Sequence, residues 1–277
     1  MATPVLTRHV LDGVLGPIFT DVRTSDRQRA RPAVLVVHGF KGFKDWGMFP
    51  LVAERLARAG FTAVSFNLSG SGVDSDGRIA WPDRFGHATY SGDLEDMRRV
   101  SAALGDGRLG LAPTSILGVL GHSRGGGEAI LFAAEEPTVR TLVTWSAISV
   151  VHRWRDQEDG WRRTGQIDIR NARTGDVLPL YPDVLDDIGR EGPVLDIRAA
   201  AARVKVPWLL VHGTADESVP VAEAEALRHA AASNPALRYL PVDGAGHTFG
   251  ATHPMFGITP ALAVVLDESV KWMGRHL

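Results

Sequence analysis

Ile116-Leu-Gly-Val-Leu-Gly-His-Ser-Arg-Gly-Gly-Gly-Glu-Ala-Ile130 joins a short apolar run to a serine set among glycines, and then to an alanine-rich stretch reaching Glu135. Its centre, Gly121-His-Ser-Arg-Gly125, matches G-x-S-x-G and stands after a strand-like run and before a helix-like one. A chain that turns this sharply holds its central residue in strained geometry. Side chains two positions to either side would collide with the neighbouring strand and helix, which accounts for the flanking glycines. Ser123 then points its hydroxyl outward at the start of the following helix, as a candidate nucleophile.

The rhythm continues on both sides of this segment. Ala33–Val37, Phe61–Phe66, Val139–Trp145, Trp208–Val211 and Arg238–Val242 are further short apolar runs, rich in β-branched residues. Their continuous apolar character predicts strands buried on both faces. Helices are expected at Trp46–Arg58, Thr89–Leu104, Gly125–Glu135, Val221–Ala232 and Ile258–Arg275. Alternation of this kind is the pattern of an α/β chain, a mostly parallel sheet with helices on both faces. Before Pro32, Val5-Leu-Thr7 and Gly16–Val22 suit an antiparallel strand pair.

Residues 150–206 break the rhythm. They bring Trp154, Trp161 and several arginines, then the alternating runs Ile167–Arg170 and Asp176–Leu180 around Asn171-Ala-Arg-Thr-Gly175. The turn residues predict a β-hairpin. The division expected is a core of residues 1–149 and 207–277, with 150–206 as a small insert over one end of the sheet.

Composition excludes several classes of function. The 277 residues carry 30 basic and 32 acidic side chains, for a net charge of −2. That balance supplies no basic face for phosphates, so nucleic acid is not an expected partner. The absence of cysteine removes disulfide frameworks, Fe–S clusters, thiolate zinc sites and cysteine nucleophiles. No metal is expected either, since the histidines lack ligand spacing and Asp74-Ser-Asp-Gly77 lacks the later ligands of a calcium loop. No apolar run approaches the roughly 20 residues of a membrane span, and Met1–Thr20 has no signal-peptide core. The expectation is a soluble, cytoplasmic protein without a membrane partner; a homodimer is compatible with the sequence.

A serine hydroxyl is a poor nucleophile until a base takes its proton, so Ser123 needs a histidine and an orienting carboxylate. Trp208–Asp216 reads as a strand running into a turn that presents Asp216, and the glycines around His247 form a loop after the next strand. Asp243 and Asp187 compete with Asp216 for the carboxylate role. Backbone donors for a negative oxygen are expected from the N–H of Arg124, after the nucleophile, and of Phe40 in the loop His38-Gly-Phe-Lys-Gly42. His38 and His122 flank this site and are candidates to border the substrate, although histidines beside such loops usually order them. Trp154 and Trp161 are either an aromatic wall for the substrate or packing that fixes the insert.

On His38-Gly-Phe-Lys-Gly-Phe-Lys-Asp-Trp46, Gly121-His-Ser-Arg-Gly125, His212-Gly-Thr-Ala-Asp216 with Val219-Pro220, and Gly246-His247, the sequence resembles the α/β-hydrolase superfamily over nearly its whole length. Within it the chain looks most like the dienelactone-hydrolase, cinnamoyl-esterase and prolyl-oligopeptidase-related group. The resemblance implies a carboxylesterase with a small-molecule ester substrate, hydroxycinnamoyl esters included, and with no cofactor. Dienelactone hydrolases proper use a cysteine nucleophile, which this chain lacks. Two alternatives stand beside it: a peptidase or amidase, which as an aminopeptidase would need acidic residues near the site to hold a free amine, and a non-catalytic binder of the same fold.

Overall fold

The computed structural model describes residues 3–170 and 175–277. The first half runs β1 (Val5–Asp12), β2 (Pro17–Thr24), β3 (Ala33–Val37), α1 (Phe49–Arg58), β4 (Thr62–Phe66), α2 (Pro82–Gly86), α3 (Tyr90–Gly105), β5 (Leu117–His122) and α4 (Arg124–Glu135). Next come β6 (Val139–Trp145), α5 (Glu158–Thr164), β7 (Ile167–Arg170), β8 (Val177–Leu180), α6 (Asp183–Glu191) and α7 (Ile197–Arg203). The chain then forms β9 (Trp208–Gly213), α8 (Val221–Ala230), β10 (Leu237–Val242) and α9 (Pro260–His276).

One sheet, ordered β1-β2-β4-β3-β5-β6-β9-β10, organises the molecule. β1 and β2 join it antiparallel, and every pairing from β4 onward is parallel. Because side chains alternate across a strand, each buried strand feeds two cores. Ala33, Leu35 and Val37 of β3 face the layer containing α3, α4 and α7, while Val34 and Val36 face α1 and α9. Parallel pairing also brings the carboxyl ends of β3, β5, β9 and β10 to one edge, where open sheets of this kind bind ligands.

Helix boundaries follow local chemistry. α1 starts at Phe49 instead of Trp46, because Gly47 adopts φ +45° and Pro50 falls in the first turn, where its missing N–H costs nothing. The Thr89 side chain caps α3 by accepting the Gly92 N–H, and Thr259 caps α9 through the Leu262 N–H. The short helices α2, α5, α6 and α7 fall where the sequence indicated no helix.

The segment between β6 and β9 divides in two. β7 and β8 pair antiparallel from Ile167↔Leu180 to Arg170↔Val177 in a separate sheet, and β8 packs on α2. Residues 171–174 of the expected turn lie outside the described residues. α7, by contrast, packs on α4 and α8 within the main helical layer. Trp161 of α5 joins the core and is 1% exposed. Among the described residues no helix is long and apolar enough to cross a membrane. Trp161→Ala is expected to cost about 3–5 kcal/mol through the cavity it leaves, read as a lower denaturation midpoint in guanidinium.

Candidate active site

Ser123 has φ +60° and ψ −121°, a conformation that side-chain-bearing residues rarely adopt. Its neighbours allow it. A Cβ on Gly121 would sit 2.2 Å from the Gly125 carbonyl oxygen, and one on Gly125 would sit 2.3 Å from the His38 carbonyl oxygen. Either contact is impossible without moving backbone, so glycine is a steric requirement at both positions. The turn is fastened by the Ser123 N–H donating to the Trp145 carbonyl at 2.9 Å, and by the Ser123 carbonyl accepting from the Gly126 N–H at 3.0 Å.

His247 Nε2 lies 3.0 Å from Ser123 Oγ, and His247 Nδ1 lies 2.8 Å from Asp216 Oδ2. A carboxylate only accepts, so Nδ1 carries the proton and Nε2 is left to accept from the serine hydroxyl. The other Asp216 oxygen accepts from the Ser218 and Val219 N–H groups, both at 2.9 Å. Burial works to raise the Asp216 pKa, but the bonds from His247 and the Val219 N–H outweigh it and hold the carboxyl below its ordinary value. Asp243 bonds Thr214 instead, and Asp187 accepts from the Ser91 N–H and pairs with Arg190; neither meets His247.

The loop after β3 turns tightly, with the Gly42 N–H donating to the Gly39 carbonyl at 2.9 Å. A Cβ on Gly39 would come within 2.9 Å of Ser123 Cβ, so glycine lets the loop lie against the serine. Further along, Lys44 is 2% exposed and its ammonium lies 3.1 Å from Asp21 on β2, with Asp45 also in contact. The Lys44 N–H donates to Asn67 at 2.7 Å, so the loop is tied to two neighbouring strand segments. Arg124, first residue of α4, has an N–H without an intrahelical acceptor.

The Arg124 side chain belongs to a buried cluster that the sequence did not reveal. Its Nη2 meets Asp93 at 2.6 Å, its Nε meets Glu128 at 2.8 Å, and its guanidinium lies 4.0 Å from the Tyr90 ring centre. Burial, and then the adjacent Glu128, push the Asp93 carboxyl well above the usual carboxylate range against the pull of Arg124. The i, i+4 spacing of Arg124 and Glu128 was readable, but such a pair usually marks a solvated helix face.

A chamber of about 670 Å3 opens over Ser123 and His247. Trp154 lines it, together with Arg153, Gln157 and Ile169 from the insert. Trp161 does not: it turns into the core and meets Trp154 edge-on at 5.8 Å. His38 also stands back from the chamber, its Nδ1 donating to the Gly39 carbonyl at 2.9 Å and its Nε2 accepting the Leu68 N–H at 3.2 Å. It orders the loop. His122 donates to the His247 carbonyl at 2.9 Å and borders a smaller recess on the other side of Ser123. Among the described residues no cluster of three or more His, Asp or Glu has the geometry of a metal site.

Comparisons with known proteins agree with this architecture. The family model described as alpha/beta hydrolase fold matches residues 32–166. The chain has the α/β-hydrolase fold. It is 27% identical to a monoacylglycerol lipase of Mycolicibacterium smegmatis, with the whole of both chains aligned. It is 25% identical to a 2,6-dihydropseudooxynicotine hydrolase of Paenarthrobacter nicotinovorans over 78% of this chain, which spans about half (53%) of that enzyme. Among solved structures, Est1E from Butyrivibrio proteoclasticus superposes with a TM-score of 0.65 at 18% identity, covering 97% of this chain and 98% of that one. These relatives support a hydrolase.

Within this hydrolase fold, His38 gives a pH signature. Burial first, and then the nearby Arg124 charge, lower its pKa to about 4, against the bond to Gly39 that raises it. Between that value and the ordinary imidazole value of about 6.5 the unfolded chain binds the extra proton, so stability falls as pH drops through this window. A loss of about 3 kcal/mol between pH 7 and pH 4 is expected from this group. In denaturation curves against pH, His38→Gln should flatten that part of the profile.

Proposed function

We propose that the protein is a serine hydrolase of carboxylic esters that works through an acyl-enzyme. The observation that carries this reading is the unbroken chain Asp216, His247, Ser123, at 2.8 Å and 3.0 Å, ending on a serine at φ +60° at the mouth of a chamber. In the proposed reaction Ser123 Oγ attacks the ester carbonyl carbon while its proton passes to His247 Nε2. The carbonyl π pair moves to the oxygen, and the resulting negative charge is received by the N–H groups of Phe40 and Arg124. Collapse of the tetrahedral species breaks the bond to the alkoxy oxygen, which leaves with the proton from His247. Water then repeats the sequence on the acyl-enzyme, with His247 as base and Ser123 as leaving group. Asp216 holds the imidazole in the required tautomer and offsets its transient positive charge.

Ester hydrolysis is favoured over release of an N-terminal amino acid by the charges around the chamber. Its charged wall residues beyond the histidine are Lys41, Arg124 and Arg153; among the described residues lining it there is no Asp or Glu to hold an ammonium group. The lipase relative supports the same choice.

The test is release of p-nitrophenol from its acetate and butyrate esters, with a fluorophosphonate label mapped by mass spectrometry. Label on Ser123, turnover abolished in Ser123→Ala, and a loss of about 10⁴-fold in kcat for Asp216→Asn are expected, the last by analogy with other triads. Turnover retained in folded Ser123→Ala overturns the assignment.

A further inference from the structure

Ser123 stands between two spaces of very different size. On the insert side is the chamber of about 670 Å3, walled by Tyr90, Ile148, Trp154 and Val219 among others. On the other side is a recess of about 50 Å3 walled by Gly39, Trp46, Phe49 and His122. Phe40, Ser123, His247 and Thr248 border both. On the same measure the recess is more than tenfold smaller than the chamber, so it suits the smaller of two substituents.

The recess cannot widen cheaply. Trp46 and Phe49 are 5% and 2% exposed and belong to the core shared by β3, β5, α1 and α9. The two rings meet edge-on at 6.4 Å, Trp46 stacks on His253 at 6.3 Å, and Phe49 meets the His122 ring at 6.2 Å. His122 in turn is bonded to the His247 backbone, so enlarging the recess would disturb the histidine that the chemistry uses. Interiors packed this closely transmit such strain instead of absorbing it. The chamber's wall, by contrast, comes partly from the insert, where the hairpin and α5 lie over the sheet edge.

An ester carbonyl attacked by Ser123 has two substituents besides its oxygen, the acyl chain and the alkoxy group. With the oxygen held by backbone donors, the two must leave the reacting carbon in different directions. We infer that this site takes esters that are small on one side of the scissile bond and bulky on the other, with Trp46 and Phe49 setting the upper limit on the small side. The inference rests on the serine-hydrolase reading and adds to it a substrate class and two specificity-determining residues.

The experiment compares kcat/KM for 1-naphthyl acetate, methyl 2-naphthoate and phenyl benzoate, using wild type, Phe49→Ala, Phe49→Leu and Trp46→Phe. One of the first two esters should exceed phenyl benzoate by about 100-fold or more, in line with the cost of forcing an oversized group against closely packed rings. Phe49→Ala, or the milder variants if it does not fold, should shift the ratio of kcat/KM for phenyl benzoate to that for the favoured ester about tenfold toward phenyl benzoate, whatever the change in absolute turnover. Stoichiometric labelling of Ser123 by diisopropyl fluorophosphate identifies the variants that have kept a working site. Equal turnover of phenyl benzoate and the mixed esters by labelled wild type overturns the inference, and so does an unshifted ratio in every labelled variant. Failure of labelling and of all ester turnover would instead overturn the serine-hydrolase reading itself.

Discussion

The structure depends on a backbone contact with no side chains in it. At the turn between β5 and α4, Gly121 and Gly125 approach so closely that no Cβ fits between them, and Gly125 lies equally close to the His38 carbonyl of the neighbouring loop. This double approach holds Ser123 at positive φ, sets α4 against β5, and brings the β3 loop beside the serine. Strain of this kind costs of order 1–3 kcal/mol and persists only where the surroundings over-determine it. Here the surroundings are a sheet whose central strands are buried on both faces, so the cost is spread over a core of ordinary packing.

That physics explains what could be read from the sequence. Strands such as Ala33–Val37 were legible because burial on both faces leaves an unbroken apolar run, and Ser123 and Asp216 were legible because each follows such a run. His247 was legible from its glycine-rich loop. The run Arg238–Val242 before it suggests a strand buried on both faces, but β10 is an edge strand in which Val242 alone is buried. The brief helices α2, α5 and α7 were not legible, since five to seven residues make at most two turns, while α6 is strongly amphipathic and its signal lay among the charged residues of the insert. Trp154 and Trp161 show the limit more sharply. Seven residues apart in one insert, they are chemically identical, and only the path of α5 sends one ring to the chamber and the other into the core. Asp93 and Glu128 escaped for another reason: in sequence a charged residue on a helix looks solvated, and only the fold shows both buried on Arg124.

The two walls around the serine have different origins. One is built from the loop after β3, α1 and the end of β5, and the other draws partly on an insert between β6 and β9. Chemistry and one boundary of the substrate are therefore bound to the stability of the whole chain. The opposite boundary is shared between Trp154, Gln157 and Ile169 of the insert and Tyr90, Ile148 and Val219 outside it.

The buried pair of Lys44 and Asp21 has a consequence for how the sheet assembles. β2 joins antiparallel to β4, with Asp21 opposite Ser65. A slip of one residue in that pairing would turn Asp21 to the opposite face of the sheet, and a slip of two would carry it along the strand. Either would take Asp21 away from the buried Lys44 ammonium and leave it Asp45 alone, at a cost in stability. An apolar strand facing an apolar neighbour tolerates such errors; a single buried charge does not. Lys44 thus favours the observed strand register, and the loop that lies beside Ser123 is joined through it to the N-terminal hairpin.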